Sequence, residues 1–113
     1  MNDVAPGPAS ARVLVVDDDE GILRLARKSL ERAGCRVFSS SSVAVARAIV
    51  EGEQPDLLVL DYQLECAETG LDFFRRLRRE GVALPAILVT GFTDESRVIE
   101  ALRAGISDVV PKS

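Results

Sequence analysis

Four short apolar runs in this chain each end in a polar residue that can do chemistry. Val13-Leu14-Val15-Val16 stops at Asp17-Asp18, and Leu57-Leu58-Val59-Leu60 stops at Asp61. Ala86-Ile87-Leu88-Val89 stops at Thr90, and Val109-Val110-Pro111 stops at Lys112. Runs this short, apolar and β-branched read as strands buried on both faces, which is the habit of parallel sheets. The strand segments are Arg12–Val16, Arg36–Phe38, Leu57–Leu60, Ala86–Val89 and Asp108–Val110.

Helical patterns lie between them. Ile22, Ala26, Leu30 and Ala33 mark one face of a first helix, and Val45, Ala46, Ile49 and Val50 a second. Phe73, Phe74 and Leu77 mark a third, and Val98, Ile99 and Leu102 a fourth. Glycine follows every pattern, at Gly34, Gly52, Gly81 and Gly105, as left-handed C-terminal caps require. Asp19, Ser41 or Ser42, Thr69 and Thr93 are the expected N-caps, so the Ser39–Ser42 tract reads as loop and cap. Residues 1–11, with Pro6, Gly7 and Pro8, read as a flexible lead-in, and 12–113 as one domain.

Alternating strands and helices imply a parallel sheet with right-handed crossovers, doubly wound in the order 2-1-3-4-5. Such a sheet needs helices on both faces, and the pattern ends at its fifth strand. The expectation is a closing helix outside this sequence, or cover from another molecule; a bare contact face costs about 1.5–3 kcal/mol per large side chain exposed.

A length of 113 residues suits one domain, and 47% hydrophobic with 28% charged residues suits a globule. The net charge of −4 argues against direct nucleic-acid contact, which needs a basic footprint. The apolar runs are too short to span a bilayer, and the start lacks the pattern of a signal peptide. Cys35 and Cys66 have no zinc spacing and read as reduced thiols, consistent with a cytoplasmic protein.

In open α/β sheets, ligands bind beyond the carboxyl ends of the strands, where strand order reverses. Here that crevice lies between strands one and three, at Asp17, Asp18 and Asp61. Three crowded carboxylates repel one another, and a hard cation such as Mg²⁺ relieves the repulsion. Asp17 to Glu20 could instead serve only the N-terminus of a helix. Asp61 follows a different strand and has no such duty. Thr90 and Lys112 add a hydroxyl and an ammonium to the same rim.

These residues, in VLVVDDDE, PDLLVLDYQL, the glycine of TGLDFF, ILVTG and AGISDVVPK, make the chain from about Arg12 to Ser113 resemble a response-regulator receiver domain of two-component signalling. The resemblance implies a flavodoxin-like fold and a phosphoacceptor that switches its surface for downstream partners. Asp61 would take a phosphoryl group from the phosphohistidine of a histidine kinase or histidine phosphotransfer protein. Asp17, Asp18, Asp61 and the Gln63 carbonyl would hold Mg²⁺, Asp17 largely through water. Thr90 and Lys112 would contact the phosphoryl oxygens, and Gln63 and Phe92 sit where receivers tune phosphoryl lifetime. The chain has no histidine, so the donor is external. It is expected to be no enzyme beyond Mg²⁺-dependent self-phosphorylation and slow self-dephosphorylation, with homodimerisation as a further option.

The chain departs from the family pattern in places. Glu65 stands where a proline is usual, in a loop one residue longer and more acidic, expected to be more mobile. Val109 replaces the usual switch aromatic, and Pro111 precedes Lys112 where a proline usually follows, so the backbone placing Lys112 is expected to differ. Tyr62 and Phe92 read as packing more than as substitute switches, though Phe92 could shield an acyl phosphate from water. Arg75-Arg76-Leu77-Arg78-Arg79 reads as a solvated helix face, with a docking patch for an acidic partner as the sharper alternative. Two competing functions remain: a haloacid-dehalogenase-like phosphatase, since Asp17-Asp18-Asp19 fits its DxD opening, and a degenerate receiver that only binds proteins.

Overall fold

The computed structural model describes residues 10–64, 68–91 and 94–112. The described residues form β1 (Arg12–Val16), α1 (Glu20–Arg32), β2 (Arg36–Ser40), α2 (Val43–Glu53), β3 (Leu57–Asp61), α3 (Gly70–Arg79), β4 (Ala86–Thr90), α4 (Glu95–Ala104) and β5 (Asp108–Pro111). The strands are all parallel, in the order β2-β1-β3-β4-β5. This is the doubly wound arrangement that the alternating pattern requires.

The sheet separates two apolar layers. On one face Val13, Val15 and Val37 meet Leu23, Ala26 and Leu30 of α1. On the other, Leu14, Val16, Leu58, Leu60 and Leu88 meet α2, α3 and α4. Phe73, Phe74 and Leu77 of α3 are almost wholly buried there, each contributing about 1.5–3 kcal/mol by burial. On the α1 face, no described helix covers β4 and β5: Ile87 and Val89 are half-buried, and Val110 is 39% exposed.

Several local expectations need correction. The strands run further than the apolar letters. β2 takes in Ser39 and Ser40, because both pair in register with Val15 and Val16, and only Ser42 of the serine tract is a cap. The core face of α1 centres on Leu23, while Ala33 is exposed as its C-cap. In α2, Val43 packs on the core and Val45 is exposed. In α4 the buried residue is Ala101; Ile99 and Leu102 face outward. The small side is the one that lets the helix approach β5.

Gly34, Gly81 and Gly105 adopt the left-handed conformation expected of them, with φ of 93°, 88° and 108°. Gly52 does not. It lies inside α2, and Gln54 takes the left-handed position instead, at φ 50°. The helix runs past Gly52 because Arg12 Nε and Nη2 donate to the Glu53 carbonyl at 3.0 and 2.8 Å, satisfying a group that otherwise lacks a partner at a helix end. The N-cap of α4 is Asp94, not Thr93: its Oδ1 accepts from Ser96 N at 3.0 Å.

Candidate functional site

Register places the site. Val16 of β1 sits opposite Leu60 of β3, so Asp17 and Asp61 end adjacent strands at the same level. Thr90 ends β4 beside them, and Pro111 of β5 sits opposite Thr90. Lys112 N donates to the Thr90 carbonyl at 2.7 Å, one further rung of the β4–β5 pairing. The proline before Lys112 thus leaves its backbone in line with the sheet. Pro111 lies on the edge strand, where a missing ladder donor is tolerated.

β5 lies two strands from β3, roughly 10 Å at the usual strand spacing. The long Lys112 side chain closes that gap. Its Nζ stands 3.2 Å from Asp61 Oδ1 and 3.3 Å from Asp17 Oδ2. Asp17, Asp61 and Thr90 are buried, at 4%, 4% and 2% exposure. Asp18 is exposed on the loop after β1. One carboxylate oxygen from each of Asp17, Asp18 and Asp61 lies within 4.8 Å of the others. Three acceptor-only groups so close, two of them buried, form a donor set that fits a hard divalent cation.

The charges disturb one another in the expected sense. Burial, and then the Asp17 charge, push the Asp61 carboxyl above its ordinary value, with Lys112 and the Gln63 backbone N–H pulling the other way. Burial works against the Lys112 ammonium, yet its bonds and attraction to Asp61 and Asp17 outweigh that and raise its pKa.

Backbone contacts hold the acids still. Asp17 Oδ1 accepts from Asp19 N at 2.9 Å, and Asp19 in turn caps α1 through Gly21 N at 2.8 Å. Asp17 N donates to Ser40 O at 3.1 Å, which ties the acid to β2. Gly70 N donates to the Tyr62 carbonyl at 2.8 Å, and a Cβ on Gly70 would fall 2.2 Å from the Asp61 carbonyl oxygen. Thr69 and Asp72 close a capping box at the start of α3.

Of the residues singled out from the sequence, Asp17, Asp18, Asp61 and Lys112 converge, and Thr90 lies on the same rim. Gln63 is exposed beside Asp61 and donates its N–H to that carboxylate. Phe92, Thr93, Glu65, Cys66 and Ala67 lie outside the described residues, so the shielding role and the loop's mobility are not placed. Tyr62 packs partly against the main core, and Val109 fills the position expected of an aromatic, half-buried on the same side. Ser40 and the close approach of Gly70 were not anticipated. The signal for the latter was a glycine directly after the capping Thr69.

A family model for the response regulator receiver domain matches residues 13–113. The chain belongs to the response-regulator receiver family. Among curated relatives, this receiver is 34% identical over 101 residues to the alkaline phosphatase synthesis transcriptional regulatory protein PhoP of Bacillus subtilis, covering 89% of this chain and 42% of that one. It is 36% identical over 100 residues to the KDP operon transcriptional regulatory protein KdpE of Escherichia coli, covering 88% and 44%. It therefore spans less than half the length of these relatives. Among solved structures, a CheY-like receiver domain protein from Methanospirillum hungatei superposes with a TM-score of 0.82 at 26% identity, over 92% of this chain and 82% of that one. The receiver domain of the Francisella response regulator 1452 gives 0.85 at 23% identity, over 91% and 84%, a likeness of fold. The family match sets the phosphatase reading aside. The receiver is the phosphoacceptor module of two-component response regulators. Its described helices include none long and apolar enough to cross a membrane.

Proposed function

We propose that Asp61 is the phosphorylated residue of this receiver and that Asp17, Asp18 and Asp61, with the Gln63 carbonyl, hold Mg²⁺. The observation that carries this reading is the convergence of three carboxylates from two strand ends, with Asp17 and Asp61 bridged by one ammonium. Bound Mg²⁺ would neutralise charge on the transferring phosphoryl oxygens.

The chain's own groups do the rest. An Asp61 carboxylate oxygen attacks the phosphorus of an external phosphohistidine, the P–N bond breaks, and the imidazole nitrogen leaves with its electron pair. Asp19 N and Ser40 O keep Asp17 in place beside the acceptor. Lys112, already 3.2 Å from Asp61, pairs with the incoming charge of about −1.5 to −2. The buried Thr90 hydroxyl donates to a phosphoryl oxygen. Attraction of Thr90 and Lys112 to the new oxygens then biases the ends of β4 and β5.

The donor is a histidine kinase or a histidine phosphotransfer protein, or in vitro a small acyl phosphate, and the setting is the cytoplasm. The relatives are named as transcriptional regulators and are about twice as long as this chain; contact with nucleic acid in a parent protein would belong to segments beyond this one.

The test is intact mass after incubation with Mg²⁺ and acetyl phosphate. One added phosphoryl group, lost in Asp61→Asn, supports the assignment. Attachment kept in Asp61→Asn but lost in Asp17→Asn moves the nucleophile to Asp17. No attachment in the wild type leaves a receiver that only binds proteins.

A further inference from the structure

Away from the phosphoacceptor rim, α3 and α4 bracket a groove of about 670 Å³. The helices are scarcely packed on one another; α4 leans on β5 and α3 on β3 and β4. The walls carry Arg75, Arg78 and Arg79 from α3, and Ile99, Glu100 and Arg103 from α4. Four guanidiniums thus face one carboxylate, in a chain whose net charge is −4.

The arginine run of α3 is divided by the fold. Arg76 leaves the groove and forks onto Glu68, Nε to Oε2 at 3.1 Å and Nη2 to Oε1 at 3.2 Å. Arg75 crosses to Glu100 at 3.2 Å, an exposed pair of little intrinsic strength. Arg78 lies over the Phe74 ring, 4.7 Å from its centroid, and donates to the Leu84 carbonyl at 3.2 Å. It is thereby held rigid with donors to spare. Arg79 and Arg103 make no ion pair among the described residues. The helix dipole accounts for basic residues in the last turns of α3 and α4. It does not account for Arg75, nor for the gathering of four guanidiniums on one concave surface. Ile99, 40% exposed, adds an apolar contact.

We propose that this α3–α4 groove docks an acidic, amphipathic peptide segment of a partner protein. Its carboxylates take the arginines, bidentately where the forks are free, and an aliphatic side chain covers Ile99. The paired Glu100 is displaced from Arg75 as the segment seats. Nucleic acid fits less well, because a phosphate backbone leaves the apolar contact at Ile99 uncovered and the chain's net charge of −4 opposes it.

Binding is measured by fluorescence anisotropy with a labelled peptide carrying glutamate and leucine at helical spacing, on the full chain. Wild type is expected to bind it, more weakly as salt rises, and not to bind a version with lysine for glutamate. Arg79→Glu with Arg103→Glu should weaken binding by about tenfold or more, since two attractive charges become repulsive. Lys28→Glu, a charge change on α1, should leave it within about twofold. Glu100→Gln should tighten it, which loss of folding could not do. Equal loss in Lys28→Glu and the double variant overturns the proposal. So does tighter binding of a DNA duplex through the same arginines, or a self-association lost in the double variant that accounts for the signal.

Discussion

Lys112 and Asp61 come from strands that do not touch, yet their charged atoms stand 3.2 Å apart with Asp17 sharing the same ammonium. The lysine is the only described cation between two buried carboxylates. The energetics of the rim follow from how that one charge is divided.

Asp61 supplies the first prediction. Its pKa is raised by burial and by Asp17, net of the help from Lys112. Between the unfolded value near 3.8 and the higher folded value, the native state holds more protons than the unfolded one, so stability falls as pH rises through that window. Above the folded value the penalty is fully present. Asp61→Asn removes it and should raise the urea midpoint at neutral pH, an advantage that shrinks as pH falls through that window and is gone below 3.8. Urea melts at both pH values, without divalent cations, check this; a less stable variant at neutral pH contradicts it.

Lys112→Met keeps most of the unbranched side chain and removes its charge. Asp17 and Asp61 then lack their shared partner. The variant should lose roughly 1–2 kcal/mol at neutral pH, less than a fully buried pair would cost because Lys112 is partly exposed. Adding Asp61→Asn should restore most of that loss, because the uncompensated repulsion is gone. A double-mutant cycle in urea measures it, and additive losses would show that the pair is not coupled. Phosphorylation by acetyl phosphate should be slower in Lys112→Met.

How far the rim could be read from the sequence depends on what kind of information each residue carries. Asp17, Asp61, Thr90 and Lys112 were legible because each ends an apolar run, and parallel register brings run ends together. The sheet order was legible for the same reason, from the alternation of runs. The outward faces of Ile99, Leu102 and Val45 were not, since packing is decided by which side of a helix fits a strand, and α4 offers Ala101. Gly52 misled because its partner signal, Arg12 reaching the Glu53 carbonyl, lies 41 residues away. Ser40 acts through a backbone contact, which has no signature in side-chain pattern, and the close approach of Gly70 is marked only by a glycine directly after the capping Thr69.

Gly70 is required by space. Its first-turn position on α3 presses against the Asp61 carbonyl, where a Cβ would sit 2.2 Å away against backbone that cannot turn aside. Gly70→Ala must push α3 from β3 or tilt the end of β3. A loss of about 2–3 kcal/mol is expected, in the range of overpacked sites. Because Asp61 moves with its carbonyl, phosphoryl uptake from acetyl phosphate should fall even where the chain remains folded. A folded Gly70→Ala chain with wild-type uptake would show that the turn gives way without disturbing the acceptor.

The end of α2 offers the opposite case, where glycine stands at a position that does not need it and is absent from one that does. Gly52 is helical, and a Cβ there would meet nothing within 4 Å. Gly52→Ala should therefore stabilise by about 0.5–1 kcal/mol. Gln54 holds φ 50°, a conformation costing a residue with a side chain roughly 1–2 kcal/mol relative to glycine, offset in part by the greater freedom of glycine when unfolded. Gln54→Gly should thus stabilise by up to about 1 kcal/mol. The two changes act on different states of the backbone, and their gains should be nearly additive in thermal melts. Reversal of either sign would mean that the helix ends at Gly52 in solution, as its sequence first suggests.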